Sequence, residues 1–83
     1  MKNEIRYGEL KVGDVVFFHG AKVVIKNIHV CGICDNKWHK GEKIINFEIE
    51  PYDDEAINIL GNFYSHGWYG GVESLTLYKI KSM

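Results

Sequence analysis

The chain has 83 residues, 46% of them apolar, and a formal net charge of −1, which bounds it to a single domain (1–83) with one small core. Ten basic residues are well mixed with eleven acidic ones, so no basic patch marks a generic DNA or RNA binder. No run approaches the ~20 apolar residues of a membrane-spanning helix, and the opening MKNEIRYGEL lacks the apolar core of a secretory signal; a cytoplasmic protein with reduced cysteines is expected.

Residues 1–7 read as a short lead-in, with an edge strand through Ile5 and Tyr7. Residues 10–30, LKVGDVVFFHGAKVVIKNIHV, organise the rest. Gly13-Asp14 makes a turn. Val15 to His19 follow as a strand rich in β-branched and aromatic residues. Glycine accepts positive φ at little cost, so His19-Gly20 or Gly20-Ala21 supplies a tight hairpin. The second strand covers about 22–30. Val23 and Ile25 share one parity, Ile28 and Val30 the other. A bulge near Lys26-Asn27 would bring all four to one side and bend the sheet.

Residues 31–42, CGICDNKWHKGE, carry turn residues and charges without periodicity and read as an exposed loop. Residues 43–50 alternate cleanly: Ile45, Phe47 and Ile49 on one side, Asn46, Glu48 and Glu50 on the other. Pro51 ends the strand. Residues 53–61 have the marks of a short helix. Asp53 caps it, Asp54 and Glu55 suit its positive end, Ala56, Ile57 and Leu60 form an apolar stripe, and Gly61 stops it. Residues 62–71, NFYSHGWYGG, are aromatic and glycine-rich. Residues 73–81 read as the last strand, with Leu75 and Leu77 inward, Thr76 and Tyr78 outward, and Val72 on the core side before it. The fold expected is mainly β: a partly open antiparallel barrel of about five strands, with one short helix before the last strand.

The pattern Leu10-x-Val12-Gly13-Asp14-x-Val16, followed by a glycine hairpin and a bulged strand, resembles SH3-like small β-barrels of the KOW and Tudor type. The resemblance covers 10–50 and the final strand, while 52–71 has no counterpart in a minimal barrel of that kind. It implies a binding module. In general style the chain is similar to accessory proteins of phages and mobile elements.

Three stretches carry candidate chemistry. In the first, His29, Cys31, Cys34 and His39 offer two thiolates and two imidazoles, a donor set for tetrahedral zinc. Cys31, Cys34 and His39 match the first three ligands of a zinc knuckle, but Ile44 stands at the fourth. The alternative is two reduced cysteines and surface histidines. In the second, Phe63, Tyr64, His66, Trp68 and Tyr69 lie among glycines. Trp68 and Tyr69 could stack on a flat ring, Gly70 and Gly71 could offer backbone amides, and His66 could face a phosphate. The alternatives are rings that plug the barrel end, or a protein interface. In the third, Trp38, His39 and Lys40 with Lys37 and Lys43 make a local basic loop that could meet phosphate or an acidic partner surface. The alternative is a solvated loop whose Trp folds back on the sheet.

No nucleophile elbow, phosphate-binding glycine loop or recognisable acid pair is present, so a non-enzymatic protein is expected. The leading expectation is sequestration of a small nucleotide-like ligand through Trp68, Tyr69, His66, Tyr64, Gly70, Gly71, Trp38, Lys37 and Lys40. A protein–protein interaction module, as a homodimer or as an adaptor or inhibitor of a larger protein, is the alternative. A zinc-stabilised nucleic-acid-binding module is the second alternative. No other cofactor is expected.

Overall fold

The computed structural model describes residues 3–61 and 67–80. Six antiparallel strands form one open sheet in the order β1-β6-β2-β3-β4-β5. They are β1 (Glu4–Arg6), β2 (Val15–Phe18), β3 (Ala21–Ile33), β4 (Lys43–Pro51), β5 (Trp68–Val72) and β6 (Thr76–Lys79), with a helix α1 (Asp54–Leu60) between β4 and β5. Two strands follow the helix, where one was expected. The added strand is β5, which occupies the glycine-rich stretch. Among the described residues no helix is long and apolar enough to cross a membrane.

The hairpin between β2 and β3 turns on two residues, with Phe18 paired to Ala21. Both turn residues have positive φ, His19 at 51° and Gly20 at 82°. This turn hand matches the right-handed twist of the strands it joins. Glycine takes that conformation freely, whereas His19 carries a modest cost.

β3 is the longest strand because two bulges let it bend instead of ending. Register shifts fall between Ile25 and Asn27 and between Val30 and Gly32. The first brings Val23, Ile25, Ile28 and Val30 opposite Pro51, Ile49, Phe47 and Ile45, restoring one apolar side as the parity break suggests. Val30 lies past the covered part of that side and is exposed. Cys31 to Ile33, expected in a loop, continue the strand.

The core forms on the inner side of the curl. Val16, Phe18, Ala21, Val23, Ile25, Phe47 and Ile49 are buried there, joined by Leu10 and by Ala56 and Leu60 of the helix. Phe47 is central: Tyr7 meets it edge-on at 5.0 Å, and Phe18 at 6.3 Å. Burying a side chain of this size contributes roughly 1.5–3 kcal/mol.

Asp53 caps α1, its Oδ1 accepting from the Ala56 N–H at 2.9 Å. The Gly61 N–H closes the other end on the Ile57 carbonyl. Ala56 and Leu60, one turn apart, are the buried residues of the helix. Ile57, expected in the stripe, is exposed, because so short a helix touches the sheet along one narrow line. Leu75, expected inward, is also largely exposed. It sits in the 73–75 link, where its N–H donates to the Val72 carbonyl and its own carbonyl accepts from the Tyr7 N–H.

That link shapes the whole sheet. β5 is an edge strand, and β6 lies beside the other edge, yet only three residues separate them. Three residues span little more than ~10 Å, so the sheet curls until its two ends approach there. The ring of Tyr7 lies against Gly71 at that point.

Candidate functional site

The outer side of β3, β4 and β5 carries the polar and aromatic groups that the core excludes. Strand alternation decides which. With Ile45, Phe47 and Ile49 inward on β4, Asn46 and Glu48 turn outward. Register places Asn27 of β3 and Trp68 of β5 on either side of Glu48. One row along, His29 and Gly70 flank Asn46. Directly opposed side chains have β-carbons about 4.5–5.5 Å apart, so these two rows form one continuous patch.

Hydrogen bonds fix its centre. The Asn27 amide donates to Glu48 Oε1 at 2.6 Å. The Asn46 amide donates to Cys31 Sγ at 2.8 Å, and the Asn46 carbonyl oxygen leans over Gly70. Trp68 stands at the rim, 46% exposed. A ring half out of solvent beside a held carboxylate offers both a stacking surface and an acceptor.

Trp68 and Tyr69 are neighbours on one strand and therefore point to opposite sides. The Tyr69 ring turns inward and meets Phe18 at 4.4 Å. Gly71 also faces inward, where a β-carbon would press on Leu75 and on the Tyr7 ring. Gly70 faces outward, and its bare backbone borders the patch. Tyr64 and His66, along with Phe63, lie outside the described residues.

The basic loop sits elsewhere. Trp38 is 77% exposed, and Lys37 Nζ lies 5.0 Å over its ring. Its backbone N–H donates to Asn36 Oδ1 at 2.8 Å. Lys40 is exposed in the same loop, and Lys43 begins β4. The loop is anchored at Glu42, whose Oε1 accepts from the Ser74 N–H at 3.0 Å while Oε2 lies 2.8 Å from His39 Nδ1. Hydrogen bonds from Ser74 and then His39 hold the Glu42 carboxyl below its ordinary value. This anchor ties the loop to the β5–β6 link. Ile44 pairs with Val72 and Glu48 with Trp68, so Trp68 lies roughly 14 Å further along β4, at about 3.4 Å per residue.

The four candidate zinc donors are spread across these surroundings. His39 is engaged with Glu42 and Cys31 with Asn46. Among the described residues no group of three or more His, Cys, Asp and Glu is arranged to hold a metal ion. A separate cleft of about 220 Å³ is lined by Arg6, Gly8, Glu9, Glu42, Glu73 and Ser74. Two of its carboxylates are already committed, Glu42 to the loop anchor and Glu9 to the Arg6 N–H.

Sequence reasoning places Asn46 and Glu48 on the outer side of β4 but gives them no partner. Asn27 was likewise legible only as a bulge position. The missing signal was β5. Once Trp68-Tyr69-Gly70-Gly71 is read as a strand, alternation alone sends Trp68 outward and Tyr69 inward. The chain matches no protein-family model, no curated protein and no solved structure.

Proposed function

We propose that this protein is a non-enzymatic binding protein that holds a nucleotide-like ligand on the outer face of β3, β4 and β5. The observation that carries this reading is the row Asn27–Glu48–Trp68, in which a half-exposed indole stands directly across from a carboxylate held by an amide. The ligand ring stacks on Trp68, and its edge meets the polar groups of the two rows. Gly70 gives the Asn46 side-chain amide room to lie against the β5 backbone. A ligand that binds only the folded chain raises its melting temperature. A thermal-shift panel of linear and cyclic nucleotides at millimolar concentration is expected to give a rise that Trp68→Ala abolishes. A flat response across the panel removes the proposal.

A second reading rests on a different observation. Val30, Ile33 and Trp38, all at the β3–β4 end of the molecule, are 51%, 61% and 77% exposed. Large apolar groups exposed together mark interaction surfaces. In this reading that end meets a second copy of the chain or a larger protein. Light scattering across a dilution series reads the dimer, and a pull-down with Trp38→Ala as control reads the partner. A monomer at every concentration that also enriches nothing over the control removes it.

A further inference from the structure

The patch around Trp68 is unequal in its hydrogen-bonding character. A carboxylate accepts and cannot donate. Glu48 stands at the middle of the row, and its Oε1 already takes one hydrogen bond from Asn27. That bond orients the carboxylate without satisfying it, since two oxygens offer about four acceptor sites. In the next row, Asn46 spends an amide hydrogen on Cys31 and turns its carbonyl oxygen toward Gly70. The group directly across from Trp68 therefore presents acceptors to whatever lies on that ring. A ligand edge rich in acceptors meets repulsion there, and one rich in N–H donors meets partners.

We infer that the ligand stacked on Trp68 is a guanine nucleotide, read at its N1–H and N2–H edge by the Glu48 carboxylate. This rests on the nucleotide reading above and names the base. Guanine presents two adjacent N–H donors on that edge, which match the two oxygens of one carboxylate. Adenine presents an acceptor nitrogen at the equivalent place, and hypoxanthine keeps N1–H but lacks the amino group. Charge-assisted pairs of this kind are roughly twice as strong as neutral ones. Lys26, the bulge residue adjoining Asn27, brings a cation to the next row, its Nζ 4.0 Å from Glu50.

The test uses the full chain with Trp38→Phe, so that Trp68 is the sole indole reporter. GMP, IMP and AMP share one phosphate and differ only at the base edge. Quenching of Trp68 is expected with GMP at about tenfold lower concentration than with AMP, a difference of ~1.4 kcal/mol, with IMP between. Glu48→Gln replaces one acceptor oxygen by a donor and is expected to remove the preference while leaving stacking. The nucleotide series on the unsubstituted Glu48 protein stands by itself if that variant folds poorly. Equal quenching by all three nucleotides overturns the guanine inference and leaves the binding proposal intact. No quenching of Trp68 by any of them at millimolar concentration overturns both.

Discussion

Asn46 lies across β5 on the bare backbone of Gly70: a β-carbon placed on Gly70 would collide with the Asn46 carbonyl oxygen and stand 2.8 Å from the Ile45 carbonyl. The amide can rotate away, but the backbone oxygen cannot. Gly70→Ala is therefore expected to cost about 1–3 kcal/mol, the range for overfilling a packed site, and to disturb the β4–β5 ladder. Urea denaturation measures the loss. A variant as stable as the parent would show that β5 yields freely at this point.

Inner and outer positions on the strands that flank β3 predict unequal sensitivities. Phe47 is fully buried between Tyr7 and Phe18, whereas Phe17 is exposed on the outer side of β2. Phe47→Ala should destabilise by about 3–5 kcal/mol, and Phe17→Ala by about 1 kcal/mol or less. Similar losses at both sites would mean that the outer side is covered in solution.

The Glu42 anchor predicts a pH response. Its two hydrogen-bonded neighbours lower its pKa from the ordinary 4.5, so it contributes stability that is present above that value. The contribution is lost as pH falls through the lower folded-state pKa. Protection of the Ser74 amide from hydrogen exchange, corrected for intrinsic rate, should fall across that acidic window, and Glu42→Gln should weaken it at neutral pH. Unchanged protection in both cases would show that the 34–42 loop is held by something else.

The helix depends on its first residue outside. Asp53 satisfies the Ala56 N–H, and replacing such a cap by alanine costs roughly 0.5–2 kcal/mol. Asp53→Ala should fall in that range and Asp53→Asn near zero, read by thermal or chemical denaturation. Equal losses in the two variants would assign the effect to charge and not to capping.

The sequence carries some elements of the fold more plainly than others. β4 was legible because three inward apolar residues alternate with three outward polar ones. The bulge at Lys26 was legible because parity changes sign between Ile25 and Ile28. β5 was not, since glycine at two of five positions weakens every strand preference. Its partner contacts, not its composition, make it a strand. Ile57 and Leu75 misled for a related reason: local periodicity says which side a residue faces but not how far the cover extends. The row Asn27–Glu48–Trp68 joins three segments and depends on register, which no local pattern carries.

Because β6 is inserted between β1 and β2, those two strands do not pair with each other in the finished sheet. During synthesis, Glu4 to Arg6 and the edge of β2 that faces away from β3 have no strand partner until Thr76 to Lys79 leave the ribosome. The complete sheet therefore requires Thr76 to Lys79, whereas the β2–β3 hairpin closes through local contacts alone.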